Sequence, residues 1–267
     1  MLVIGERINT SRKTIAQAVE QRDEAFIAGV AIEQFNAGAA YIDANAGTLL
    51  SGEPDALEWL AKTIQGAVDA PVCIDSPNPA AIERALKVHK GRAIINSITA
   101  EEERYKAVLP LVKEYNTGII ALAMSDEGMP SNAEDRIRVA GSLVERLLSD
   151  GVSIDDIYVD PLVFPAATGA ENTSAVLETI RTIRKRYPGV HASCGLSNVS
   201  HGLPVRKLLN QAFLVMAVSY GMDAAILDPL DRRLMALLIA SRALLGRDEF
   251  CMEYLTAARN GEFEGLA

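Results

Sequence analysis

Short apolar runs alternate with longer stretches of helical periodicity along the whole chain. Eight such runs, LVIGERIN, YIDAN, VCID, AIIN, GIIALAMS, IYVD, HASCGLSN and AAILD, finish in Asn9, Asp43 with Asn45, Asp75, Asn96, Ser125, Asp160, Asn198 and Asp228. Successive run ends lie 21 to 38 residues apart, enough for one strand and one crossover helix, as parallel neighbours require. The runs are apolar almost throughout, as strands buried on both faces must be. The pattern predicts an α/β fold, a (β/α)8 TIM barrel, as a single domain over residues 1–267, close to the about 250 residues typical of that barrel. A last amphipathic stretch over 249–259 predicts an extra C-terminal helix.

Local signals mark the helix ends. Thr99 with Glu102, and Ser131 with Glu134, match capping boxes. Pro54 and Pro204 are expected in first helical turns, and Gly38, Gly151, Gly221 and Gly246 just past helix ends. In such barrels the C-terminal strand ends build the active site. Turn chemistry explains any one polar strand end equally well, but eight in Asp, Asn or Ser predict a mouth paved with hydrogen-bonding groups. Asn9, Asp43, Asn45, Ser125 and Asp228 are rim candidates beside a central set of Asp75, Asn96 and Asp160.

Composition narrows the chemistry. A formal charge of −9 excludes nucleic acid and anionic membranes as main partners, and no run approaches the roughly 18 apolar residues that span a bilayer. The N-terminal run carries Glu6 and Arg7 and does not resemble a signal peptide. Cys73, Cys194 and Cys251 form no CxxC pattern, so neither a disulfide framework nor a metal site is expected, and the chain reads as cytoplasmic. Of the three histidines, His89 is expected on a helix, His191 at a strand start and His201 near the mouth. Cys194 is expected as a buried filler, Met124, Met216 and Met222 as core, and Glu6 with Arg7 as catalytic groups or, more often for such a pair, a satisfied ion pair near the barrel bottom or interior. Two carboxylates and an amide suit a flat heterocycle whose ring N–H and exocyclic amine lie side by side, as in pterins and guanines.

The segments GERIN, IDAN, CIDS, INS, the DPL after the sixth run and GLSNVS at 195–200 resemble the pterin-binding barrels. Within them the chain is similar over nearly its whole length to the methyltetrahydrofolate:corrinoid methyltransferases, the group that includes the methyltransferase acting on the corrinoid iron–sulfur protein and the folate domain of cobalamin-dependent methionine synthase. The resemblance puts the pterin grip on Asp75, Asn96 and Asp160, and the asparagine that reaches N5 of the bound folate on Asn198. Gly195, Ser197 and His201 fall in the same loop, and Arg206 near the anionic tail of the folate. It implies methyltetrahydrofolate or tetrahydrofolate as substrate, Asn198 and Asp160 as catalytic groups, and a corrinoid supplied by a partner protein, since no histidine here has a DxHxxG context. It also implies a homodimer. Two places depart from the family pattern: MSDEG follows the fifth run where MNKTG-like segments stand, and His201 replaces a glutamine. The rival readings are a non-catalytic folate-binding subunit and a dihydropteroate synthase-like enzyme. Against the latter, YIDANAGTLL lacks the arginine-bearing glycine-rich stretch that holds pyrophosphate.

Overall fold

Eight parallel strands form the barrel expected from the runs: β1 (Leu2–Asn9), β2 (Tyr41–Asn45), β3 (Val72–Asp75), β4 (Ile94–Thr99), β5 (Gly118–Leu122), β6 (Ile157–Asp160), β7 (His191–Ala192) and β8 (Ala224–Leu227). The computed structural model describes residues 1–49 and 51–266. Strand order runs β7-β6-β5-β4-β3-β2-β1-β8. Just beyond β7 the ring closes through the Asp223 N–H to Ala192 O and Ile226 N–H to Cys194 O hydrogen bonds, at 3.2 and 2.9 Å. Among the described residues ten α-helices surround it: α1 (Lys13–Gln21), α2 (Glu24–Asn36), α3 (Glu53–Ala67), α4 (Pro79–Val88), α5 (Glu102–Tyr115), α6 (Ala133–Ser149), α7 (Asn172–Arg186), α8 (Arg206–Ser219), α9 (Arg232–Leu244) and α10 (Met252–Arg259).

The main core lies between barrel and helices, and a second, smaller cluster fills the barrel itself. Ile4, Cys73, Ile94 and Ile120 form that plug, with Leu2, Tyr41, Tyr158 and Ile226 packed against it. Because strand side chains alternate, the residue two positions on faces the same interior one row higher. From Cys73, Ile94, Tyr158 and Ile226 the next inward residues are Asp75, Asn96, Asp160 and Asp228. The barrel is therefore apolar at its base and polar at its mouth, and the switch occurs within two residues on each of these strands.

Several local expectations shift. The β1–β2 interval holds two helices rather than one, α1 being the addition. Gly38, Gly151, Gly221 and Gly246 do follow helix ends with positive φ. The box at Ser131 moves one residue on: Asn132 caps α6 by accepting from Asp135 N at 2.8 Å, and Ser131 Oγ donates to Asp135 at 2.6 Å. Thr99 is not a cap, since its hydroxyl bonds to Glu101, the residue before α5. Pro54 sits in the first turn of α3, but Pro204 precedes α8 by two residues. The C-terminal segment is a 3-10 turn over Glu249–Cys251 and an α-helix from Met252, the two joined where Phe250 and Cys251 take left-handed backbone angles. His89 ends α4 rather than lying within it, and its Nε2 accepts from Val72 N at 2.9 Å.

Candidate functional site

Asp75 and Asn96 are register partners across β3 and β4, and Asn45 partners Asp75 from β2. Asn45 Nδ2 donates to Asp75 Oδ2 at 2.7 Å while its Oδ1 accepts from Gly47 N at 2.9 Å, so one side chain both turns the chain and orients the acid. Burial pushes the Asp75 carboxyl up to about 6, against the hydrogen bond from Asn45 and the charge of Arg104. Asp160 stands across the mouth on β6, also raised to about 6 by burial, with the backbone N–H groups of Leu162 and Gly195 working the other way. Its Oδ1 accepts from Leu162 N at 2.8 Å and holds Leu162 at φ +61°, a left-handed conformation rare for such a residue. The neighbouring Pro161 carbonyl accepts from the fully buried Arg136 at 3.0 Å.

Asp43 lies one row deeper, in register with Cys73. It is buried, and its Oδ1 has no hydrogen-bond partner among the described residues. Burial and the neighbouring Asp75 charge raise its carboxyl well above the ordinary range.

Asn198 is exposed on the short 3-10 helix Leu196–Ser200 that follows β7. A Cβ at Gly195 would approach Asn198 Nδ2 to 3.0 Å, so the glycine leaves room for that amide. The loop is anchored at both ends. Ser197 Oγ donates to Glu6 Oε2 at 2.9 Å, and Arg206 donates to Ser197 O at 2.7 Å and Ser200 Oγ at 3.0 Å. His201 is exposed beside it.

Glu6 and Arg7 do not pair with each other, and they stand at the mouth rather than the base. Glu6 bonds Arg12 at 3.0 Å and Ser197, while Arg7 bonds Asp228 at 3.1 Å. The cause is a bulge in β1 between Gly5 and Ile8, where the buried Gln34 Oε1 accepts from Arg7 N at 2.9 Å. Gln34 occupies the space a side chain at residue 5 would need, since a Cβ on Gly5 would lie 2.5 Å from its Oε1. Burial raises the Glu6 carboxyl. Glu6 is thus a mouth acid that the sequence reading placed elsewhere; its signal was its position two residues after the inward Ile4.

Ser125 does not belong to a strand end. β5 stops at Leu122, which is in register with Asp160, and Ser125 sits in a rim turn bridged to Gly128. Asn9 acts as a turn residue, its Oδ1 accepting from Ser11 N at 2.9 Å, and Asp228 accepts likewise from Leu230 N at 3.1 Å. Cys194 is buried, its thiol raised by burial and in contact with Met222. Met222 is core, but Met216 is 44% exposed on α8.

A barrel with an apolar base and a mouth of half-buried carboxylates and amides is the architecture of a heterocycle-binding enzyme. Residues 5–228 match the family model described as pterin binding enzyme, and the chain belongs to that family. It is 36% identical over 264 residues to the methylcorrinoid:tetrahydrofolate methyltransferase of Eubacterium limosum, covering 98% of this chain and 97% of that protein. It is 30% identical over 239 residues to methionine synthase of Mycobacterium tuberculosis, covering 85% of this chain but only 20% of that longer protein. A Yersinia pestis dihydropteroate synthase solved with a pterin–sulfa conjugate superposes with a TM-score of 0.66 at 18% identity, over 91% of this chain and 93% of that one, a likeness of fold. No helix among the described residues is long and apolar enough to cross a membrane.

Proposed function

We propose that this enzyme transfers a methyl group between N5 of methyltetrahydrofolate and the cobalt of a corrinoid carried by a partner protein. The observation that carries the reading is full-length similarity to the Eubacterium limosum enzyme, joined to Asp75, Asn96 and Asp160 on the inward row of β3, β4 and β6 and an exposed Asn198 in the loop that follows β7. The carboxylates accept the N–H groups of the pterin edge, Asn96 completes the grip, and Gly195, Ser197 and His201 line the loop over the ring. Arg206, already holding that loop, offers its cation to the anionic folate tail.

A methyl on a tertiary amine leaves only when the nitrogen departs neutral, so N5 must carry a proton during transfer. The corrinoid supplies the cobalt that gives or takes the methyl. The chain's own part is to orient the pterin and stabilise protonated N5, whose proton the Asn198 carbonyl accepts. Asp160 joins the route by which that proton reaches solvent. His89 and His191 are committed to Val72 N and Asp223 at the opposite end of the barrel, which fits a corrinoid held by a separate protein.

A partner copy is part of the same proposal. Val205, Leu208, Leu209, Met216 and Tyr220 leave an apolar stripe at helical spacing exposed along α8, with Val205 at 74% and Leu208 at 62%. A second copy of the chain covers it in a homodimer. Sedimentation should give twice the chain mass, and Leu208→Glu should return the monomer mass without unfolding; a monomeric wild type contradicts the dimer.

Folate affinity should depend on pH through the two raised carboxyls. Both must be ionised to accept pterin N–H groups, and both titrate near 6. Each ionised fraction falls from about 0.9 at pH 7 to about 0.09 at pH 5, so two groups weaken binding by about 100-fold. Calorimetric titration with tetrahydrofolate under anaerobic conditions checks this. A flat profile between pH 7 and 5 contradicts the grip.

A further inference from the structure

Arg104, in the first turn of α5, reaches back over the barrel mouth. Its Nη2 donates to Ser76 O at 2.8 Å and Ser97 O at 2.6 Å, its Nε to Ser97 O at 2.9 Å, and its Nη1 to Pro77 O at 2.6 Å. Ser76 and Ser97 are the residues that immediately follow Asp75 and Asn96. One planar guanidinium therefore ties together the chain at both points where the pterin grip leaves its strands. The Ser76 N–H to Asn96 O hydrogen bond at 3.1 Å closes the same junction from within. Ser76 itself is buried, and its hydroxyl donates to Glu53 at 2.6 Å. None of the hydrogen bonds made by Arg104 goes to a carboxylate among the described residues; all go to main-chain carbonyls.

We propose that Arg104 is a positioning residue for the pterin site, bracing the carbonyls after Asp75 and Asn96 so that the two gripping side chains keep a fixed separation. This rests on the reading of Asp75 and Asn96 as the pterin grip. The guanidinium is suited to the task because its five donors lie in one rigid plane, whereas an ammonium is a single point of charge on a flexible stem. The clamp has a second consequence. Asp75 faces Asp43 from β2 and Glu53 from the start of α3, and Arg104 also faces Glu101, so the guanidinium is the cation set among these acids. Its charge opposes the burial that raises Asp75. Geometry and charge are thus separable by substitution: lysine keeps the charge and loses the span, while glutamine loses both.

The test is anaerobic calorimetry of tetrahydrofolate binding to Arg104→Gln, Arg104→Lys and Asp75→Ala between pH 5 and 8, with folding checked by circular dichroism. Arg104→Gln should weaken binding at pH 7 by more than tenfold and move the pH midpoint of binding upward. Arg104→Lys should weaken binding about fivefold and leave the midpoint where the wild type has it. For both, the methyl-transfer rate at saturating folate should stay within about twofold of wild type, because the reacting atoms are untouched. If Arg104→Gln does not fold, the lysine variant alone decides. Binding within twofold of wild type with an unmoved midpoint in Arg104→Gln, or binding within twofold in the lysine variant where it decides, while Asp75→Ala loses affinity, overturns the clamp and leaves the grip standing. Unchanged affinity in Asp75→Ala overturns both.

Discussion

Replacing Asn198 by alanine is expected to lower the methyl-transfer rate by about 100- to 1000-fold, the usual loss when one preorganised group aimed at developing charge is removed. The amide stands exposed on the 3-10 helix Leu196–Ser200, beside a glycine that leaves it room and whose backbone N–H faces Asp160. Alanine removes the acceptor for the N5 proton but leaves the anchors of the loop, Ser197 on Glu6 and Arg206 on Ser197 O, in place. Folate affinity should therefore weaken far less than the rate, by about tenfold for one lost hydrogen bond of roughly 1.4 kcal/mol. Stopped-flow rates at saturating folate, set beside calorimetric Kd values, separate the two. Cys194→Ala is the control. That thiol is buried and touches Met222, so turnover should stay near wild type, and a folded but inactive variant contradicts the assignment of chemistry to the asparagine.

Asp160→Asn should trade function for stability, in a pH-dependent way. Burial raises the Asp160 carboxyl from 3.8 to about 6, so the folded state holds this proton more tightly than the unfolded chain. The resulting contribution to stability is fully present below pH 3.8 and is lost as pH rises through about 6. At pH 8 the ionised buried group leaves the ligand-free protein less stable by about 3 kcal/mol than an unperturbed carboxylate would. Asparagine cannot ionise, yet its carbonyl can still accept from Leu162 N. The variant should be more stable than wild type at pH 8 by about 2–3 kcal/mol, and the gain should fall to about half near pH 5 and vanish below about pH 3.8. Its folate affinity should fall sharply, because an amide N–H then opposes a pterin N–H. Urea denaturation at the two pH values checks the sign. A variant destabilised equally at both contradicts the account of Asp160 as a costly, functional acid.

Legibility of the barrel in the sequence follows from the periodicity of strands. Each run is long enough to show apolar outward positions and an inward position that turns polar near the end, and at Asp75, Asn96, Asp160 and Asp228 those residues lie one step above the plug. Ser125 misled because its run continues apolar past the strand: β5 ends at Leu122, and the serine belongs to the rim turn. A turn role also did not exclude a place at the mouth: Asn45 both turns the chain and orients Asp75, and Asp160 accepts from Leu162 N while standing on the inward row of β6. Glu6 was misplaced because a bulge depends on Gln34, 28 residues away in sequence from Glu6 and filling the space beside Gly5. Arg104 carried no local signal. A helical arginine among charged neighbours looks like a solvated face, and only the folded path of the chain brings the Ser76, Pro77 and Ser97 carbonyls beneath it. α1 escaped for a similar reason, since an interval long enough for one helix was also long enough for two short ones.

The central claim is the reaction itself, and the most direct measurement follows cobalt spectroscopically. Purified protein is mixed anaerobically with reduced cob(I)alamin and methyltetrahydrofolate, and loss of the Co(I) absorption is followed as methylcobalamin forms. The account predicts catalysed conversion by the wild type and a rate lower by about 100- to 1000-fold with Asn198→Ala. No conversion by a wild type that binds folate, either with free cob(I)alamin or with a reduced corrinoid protein, would contradict it, and so would an Asn198→Ala variant as fast as the wild type.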